Sequence, residues 1–169
     1  TWTMNMDCIK EEFPIALKIT YILSFLSPRC IPRTLINPGS PKLQDEELSE
    51  ALSNDVDYVV LTLTKLSLFE EASETRIRVH RLVQEIIKEE INEQDHLTET
   101  LQNVQRMLTH AIEVETSPLS FLSYAESATK FNVAALHEWS MVVENTGHFL
   151  DELKKMKVDA SGEMFDSNG

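Results

Sequence analysis

Glycine is scarce in this chain, with four residues in 169. Proline is little commoner, and five of its six residues fall between Pro14 and Pro41. So few turn residues elsewhere predict a mostly helical protein. There are only two cysteines, Cys8 and Cys30. Two distant cysteines make neither a disulfide framework nor a zinc site, so each is read as a buried or half-buried thiol in a reducing compartment. No Asn-x-Ser/Thr acceptor occurs and no secretory signal opens the chain, which leaves the cytoplasm as the expected compartment. The longest apolar segment, Ile15 to Leu26, is interrupted by Lys18 and Thr20 and is too short to span a bilayer. Basic residues are also few: 15 Lys and Arg against 28 Asp and Glu, a net charge of −13. That balance disfavours nucleic acid, whose phosphates must be neutralised by Lys and Arg, and equally an anionic membrane surface. The acid sits in short runs such as Asp45-Glu46-Glu47 and Glu89-Glu90, which read as solvated helix faces.

What is present is periodic. Residues 1–9 read as a short extended segment with Trp2, Met4 and Met6 alternating. From about Asp7 or Glu11 to Ser27, Phe13, Ala16, Leu17, Ile19, Tyr21, Ile22, Leu23, Phe25 and Leu26 predict a helix apolar nearly all round, hence central. Pro28 and Pro32 stop it. Ile31 to Leu43 reads as a loop with one short turn at residues 33–36. A second helix is predicted from Gln44 to Ser53. Asn54-Asp55 is expected to cap a third, reaching Leu66. Leu68–Glu71 and Arg76–Val79 read as two strands of a hairpin around Ala72-Ser73-Glu74-Thr75. A fourth helix then places Leu82, Val83, Ile86, Ile87 and Ile91 on one face.

Beyond Asn92, Leu97, Leu101, Val104, Leu108 and Ile112 predict a long helix with one narrow seam. Ser117-Pro118 breaks it. Helices around Leu119–Lys130 and Asn132–Glu144 follow, and Asn145-Thr146-Gly147 reads as a turn into a last helix, His148 to about Met156. The expected organisation is a winged-helix domain over residues 1–93, a helical hairpin or bundle region over 94–157, and a disordered tail over 158–169. The fold class is mainly α: three helices, a β-hairpin and a fourth helix, then more helices.

The densest signal is Ile77-Arg78-Val79-His80-Arg81-Leu82-Val83-Gln84-Glu85-Ile86-Ile87. Its period changes from two to about 3.6 at His80. A histidine there stands at a helix N-terminus, where anions such as phosphate bind readily. It could equally cap the helix or fill a gap under the hairpin. Catalytic signatures are missing: no Gly-x-x-x-x-Gly-Lys-Ser/Thr phosphate loop, no Gly-x-Ser-x-Gly, no His-Glu-x-x-His. No residue is therefore assigned to catalysis or to a metal. His96 and His110 are about four turns apart, too far to share an ion. His137 and His148, beside Trp139 and Phe149, read as core or surface residues. Helices followed by a hairpin also raise a DNA-binding reading, in which the third helix enters the major groove. That helix, Asp55 to Leu66, carries one lysine, two aspartates and many apolar residues, and suits protein packing better than phosphate.

These residues resemble a known family. Phe13–Ile91 is similar to the winged-helix domain of NB-ARC proteins, the STAND-class signalling ATPases of apoptosis and innate immunity. Thr1-Trp2-Thr3-Met4 resembles the "T-W-x-L-S" strand leading out of the ATPase helical subdomain. Ala16-Leu17-Lys18-Ile19 through Leu26 resembles the first helix, and Ile31-Pro32 the "I-P" after it. Leu63-Thr64-Lys65-Leu66-Ser67-Leu68 resembles the "L-x-x-L-S-L" before the hairpin. Val79-His80-Arg81-Leu82-Val83-Gln84 looks like the "V-H-R-L-V-Q" of members with tetratricopeptide repeats, in the place of the "M-H-D" of plant resistance proteins. The resemblance implies that His80 contacts the β-phosphate of ADP and holds a closed, inactive state. Arg81 departs from the motif's aspartate, so no role needing that carboxylate carries over. After Asn92 the likeness loosens toward a linker and the start of tetratricopeptide-like repeats.

The resemblance implies a non-catalytic regulatory module, cut from a larger ATPase, that relays nucleotide state to C-terminal repeats. It implies ADP or ATP in the parent protein and no cofactor in this fragment. The implied partners are the ATPase domain of the same chain, the repeats and other proteins, with no nucleic acid and no membrane. A protein-binding scaffold without a nucleotide role, presenting helices after Leu97, is the alternative, and a DNA-binding winged helix is the third reading.

Overall fold

The computed structural model describes residues 9–36, 43, 45–54, 56–73, 75–93, 96–115 and 133–166, with no side-chain description at 54, 56, 72, 93, 114, 115, 133–138 and 157–166. The extended segment at Trp2–Met6, Cys8, Asp55, Glu74, the break at Ser117-Pro118 and the helix expected at Leu119–Lys130 lie outside the described residues.

Residues 9–12 are helical and lead into α1 (Pro14–Ser24), with proline in the first turn, where a missing N–H leaves no bond unmade. α1 buries Ala16, Leu17, Ile19, Thr20, Tyr21, Ile22, Leu23 and Ser24. That run covers all of the helix but the side of Pro14 and Lys18, close to the nearly all-round apolar pattern of the sequence. Its two buried hydroxyls turn back onto their own helix: Thr20 Oγ1 donates to Ala16 O at 2.7 Å and Ser24 Oγ to Tyr21 O at 2.7 Å. The expected helix is three residues too long at its end, because Phe25, Leu26 and Ser27 leave the helix while staying buried.

A short strand β1 (Ile31–Pro32) and a 3₁₀ turn (Arg33–Ile36) follow. The turn is where the sequence places it, but the strand replaces part of the expected loop. Then come α2 (Glu46–Asn54), α3 (Val56–Lys65), β2 (Phe69–Ser73), β3 (Arg76–Val79) and α4 (Arg81–Glu93). The sheet is antiparallel with order β1-β3-β2, so the hairpin has a third strand that the sequence hides. Ile31 pairs with Ile77 and Pro32 with Arg76. Proline is tolerated there because β1 is an edge strand. Across the hairpin, Glu70 faces Arg78, a favourable opposite-charge pair on the outer surface, while Ile77 and Val79 point into the core. Asp45, rather than a residue further on, caps α2: its carboxylate accepts from Leu48 N–H at 3.0 Å. Asn54 ends α2, and the cap expected for α3 at Asn54-Asp55 lies outside the described side chains.

α5 (Leu97–Glu115) matches the predicted seam helix, with Val104, Met107 and Leu108 buried. α6 (Val133–Asp166) departs from the prediction in two ways. The turn expected at Asn145-Thr146-Gly147 is absent, and the helix runs through it. Asn145 spends its side chain on tertiary bonds, the Thr146 hydroxyl donates to Val142 O at 2.8 Å, and a glycine can be helical where nothing forces a bend. The helix also passes Lys157, where the sequence suggests a disordered tail, and reaches Asp166. No helix among the described residues is long and apolar enough to cross a membrane. The architecture is mainly helical with one small three-stranded antiparallel sheet, and α1 at its centre packs against α2, α3, α4 and α5.

Glycine scarcity has a local consequence at the end of α3. Leu68 N–H bonds Leu63 O at 3.2 Å and Ser67 N–H bonds Thr64 O at 3.0 Å, the two bonds of a Schellman cap. That cap needs a left-handed residue, and here it is Ser67, at φ 55°. A β-carbon there costs roughly 1–2 kcal/mol, against about 0.5–1 kcal/mol lost to the extra chain freedom of glycine. Ser67→Gly is expected to raise stability by about 0.5–1 kcal/mol, read as a higher midpoint of urea unfolding at unchanged slope.

Candidate functional site

β3 is the central strand, and its last residue, Val79, is fully packed. The chain then has one residue, His80, before α4 begins at Arg81. His80 is the N-cap: its carbonyl accepts from Gln84 N–H at 3.1 Å, and its Nδ1 accepts from Leu82 N–H at 3.2 Å. An Nδ1 that accepts is unprotonated, so in the neutral ring the proton sits on Nε2. The ring is exposed and therefore presents a donor beside the positive end of a 13-residue helix. Capping and ligand binding, set against each other by the sequence, are compatible here because they use different nitrogens. Arg81 and Leu82 beside it are exposed too, Leu82 at 57%, so Leu82 leaves the inner face on which the sequence places it with Val83 and Ile87, because in the first turn it points away from the core. Arg81 pairs with Glu85 at 3.2 Å, an exposed bond that contributes at most about 1 kcal/mol.

The second half of the motif faces inward. Gln84 is 2% exposed. Its Nε2 donates to Leu26 O at 2.8 Å and to Leu23 O at 3.2 Å, a carbonyl that also accepts from Leu26 N–H, and so pins the chain just past the end of α1. A buried amide without partners would cost about 1–3 kcal/mol, so these bonds decide the residue. Motif and spacing give Gln84 no role of its own. Its signal was legible: Gln84 shares the stripe of Ile87 and Ile91, and a polar residue on an apolar stripe asks for a partner.

Asn145 answers the same description on α6 and is fully buried. Its Oδ1 accepts from Ser27 N–H at 2.9 Å, and its Nδ2 donates to Cys30 O and Met141 O, both at 2.8 Å. Ser27 Oγ donates to Glu144 at 2.7 Å. Cys30 is a half-buried free thiol with its sulfur 3.0 Å from that of Met141.

Between α4, residues 27–29 and α6 lies an open cleft of about 820 Å³, whose lining includes Arg29, Arg81, Lys88, Glu144, His148 and Glu152. Acidic and basic groups mix on its walls, so it has no field of one sign that would hold a free anion. Glu152 is its hub. Lys88 donates to one carboxylate oxygen at 2.5 Å and Lys155 to the other at 2.7 Å. Lys88 also stands 5.4 Å from the centre of the Phe25 ring. Burial alone would raise the Glu152 pKa, but the bonds from Lys155 and Lys88 outweigh it and hold the carboxyl below its ordinary value. Burial pushes His148 below the ordinary imidazole value; Glu152 opposes this, while Lys88 and Lys155 reinforce it.

The other histidines do not join His80. His96 is exposed and N-caps α5, its ring 5.9 Å from that of Tyr21, and the side chain of His137 is outside the described residues. Among the described residues no three His, Cys, Asp or Glu side chains come together as a metal site.

His148 is depressed on folding, so its share of stability is complete above its unfolded value of 6.5 and declines as pH falls through the lower folded value. Glu152, also depressed, loses its share only as pH drops below 4.5 toward its folded value. Urea midpoints are therefore expected to fall between pH 7.5 and 5.5, and His148→Gln is expected to flatten that fall. An equal fall in wild type and variant would remove His148 as the cause.

No curated protein and no solved structure matches the chain. One family model does match, described as a domain of unknown function (DUF7779), over residues 4–96. The matched span takes in α1 through α4, the whole sheet and His80, and exceeds half of the sequence. The chain therefore belongs to the DUF7779 family.

Proposed function

We propose that this chain is the winged-helix module, with its helical linker, of an NB-ARC-type signalling ATPase. In that reading the module is not catalytic. It closes over ADP held by a preceding nucleotide-binding core and passes the nucleotide state to repeats that follow. The observation that carries the reading is the geometry of Val79-His80-Arg81-Leu82. A packed strand end fixes the position of an exposed imidazole, the ring caps the helix through Nδ1, and Nε2–H is left to donate to a phosphate oxygen. The element order, three helices, a hairpin and a helix, supports the fold assignment. Half-exposed Leu82 beside the histidine supports a neighbouring domain on that surface.

Exchange of ADP for ATP would remove the phosphate contact and release the module, a two-state equilibrium biased by ligand. Arg81, where the related motif has aspartate, would put a cation near the phosphate instead of a carboxylate. The DNA-binding reading has little support: α3 exposes Asp57, Tyr58, Leu61 and Lys65, a mixed surface with one cation.

A scaffold role has one specific observation in its favour. Val143 and Leu150 are 52% and 50% exposed, two turns apart on one side of α6, with exposed Gly147 between them. Such a row fits a partner helix.

Two outcomes separate the readings. In a polypeptide carrying the nucleotide-binding core ahead of this module, His80→Ala should release ADP at least tenfold faster and raise basal signalling. Unchanged ADP retention and unchanged basal signalling would sink the sensor role. For the scaffold, Val143→Glu with Leu150→Glu should abolish capture of a partner protein that His80→Ala still captures; capture that survives the double change removes it.

A further inference from the structure

Gln84 and Asn145 lie on different helices, 61 residues apart in sequence, yet they hold the same peptide bond. The carbonyl that Gln84 Nε2 reaches at 2.8 Å belongs to Leu26. The N–H that Asn145 Oδ1 accepts at 2.9 Å belongs to Ser27. These are the two ends of one planar, resonance-stiffened unit. We propose that the Leu26–Ser27 peptide is a mechanical coupler joining the helix that begins at His80 to the long last helix, with Gln84 and Asn145 as its two positioning residues.

The physics favours coupling over two independent caps. A hydrogen bond to a peptide carbonyl polarises its N–H, and a bond from that N–H polarises the carbonyl, so each grip strengthens the other. Both amides are buried, Gln84 at 2% and Asn145 at 0%, so a lost partner is costly. A peptide moves as a plane, so a shift of Gln84 tilts the N–H that Asn145 reads. Asn145 Nδ2 ties the same loop again at Cys30 O, and Lys88, one turn along α4 from Gln84, bonds Glu152 of the last helix in parallel. Movement of α4 therefore reaches the last helix through buried polar bonds of fixed direction. His80 is the first residue of that path, four residues before Gln84.

What this means for signalling rests on the nucleotide reading above: a contact made at His80 would set the position of the last helix, and hence of anything attached after it. The mechanical coupling itself needs no nucleotide. It is tested on the 169-residue chain by a double-mutant cycle of Gln84→Met and Asn145→Ala, with the unfolding constant measured in urea. A shared peptide predicts that the double variant loses about tenfold less than the product of the two single losses. Losses that multiply to within about twofold would mean two separate caps and overturn the proposal. Should Asn145→Ala fail to fold, Asn145→Ser, whose hydroxyl can still bond Met141 O, completes the same cycle.

Hydrogen exchange on Gln84→Met alone gives the second reading. Exchange is expected to quicken at Ser27 and along residues 141–149 while residues 100–108 keep their protection. Quickening confined to residues 81–87, or spread evenly over the chain, overturns the coupling. Neither measurement involves ADP. Loss of the sensor role through unchanged ADP retention in His80→Ala would leave the coupler standing, and an additive cycle would leave the sensor standing.

Discussion

A helix whose end is buried cannot leave its last carbonyls to water, and most of this structure follows from that constraint. Helix Pro14–Ser24 reaches solvent only on the side of Pro14 and Lys18, and the residues after it, Phe25, Leu26 and Ser27, stay buried as well. Open carbonyls at such an end would cost on the order of 1–3 kcal/mol each. Neighbouring elements supply the partners: Gln84 Nε2 donates to the Leu26 and Leu23 carbonyls, and Asn145 Oδ1 accepts from Ser27 N–H. Gln84 comes from the helix after the hairpin and Asn145 from the last helix, and their bonds fix where both helices sit. Apolar packing brings these elements together, since burial has no direction. The amides then select one register, because a hydrogen bond has a direction.

The same arrangement explains how one six-residue motif serves two ends. From Val79 to Gln84 the chain passes from a central strand into a helix. Val79, Val83 and Gln84 face the core, while His80, Arg81 and Leu82 face out. The inner half is held by packing and by carbonyls of the buried helix. The outer half is thereby presented on a rigid base, the condition a recognising side chain needs. The imidazole divides its work between nitrogens, with Nδ1 capping the helix and Nε2 left for a partner. Around the neighbouring cleft the charges are paired, Lys88 and Lys155 with Glu152, so its walls hold helices together more than they attract a free anion.

Several of these features were legible in the chain. The all-round apolar pattern from Ala16 to Leu26 marked the central helix. The change of period at His80 marked the strand-to-helix junction to the residue. Leu97 to Ile112 marked the seam helix. The third strand was not legible, because two residues, one of them proline, have no period to read. Asn145-Thr146-Gly147 misled for a definite reason. In isolation these are turn formers, and local preference is worth about 1 kcal/mol per residue at most, apart from proline. Three hydrogen bonds of the buried Asn145 outweigh it, and their partners are residues more than a hundred positions away or in the helix itself.

The sequence by itself determined the periods: most of the helical segments, most of their inner faces though not the outward turn of Leu82, and that His80 stands where a strand becomes a helix. Periodicity is a property of neighbours in the chain, so a single sequence carries it. Only the tertiary structure decided what the polar residues on those inner faces do. Gln84 and Asn145 are ordinary amides until the Leu26–Ser27 peptide is placed between them. Their partners are set by direction and distance in space, and these have no trace in spacing along the chain.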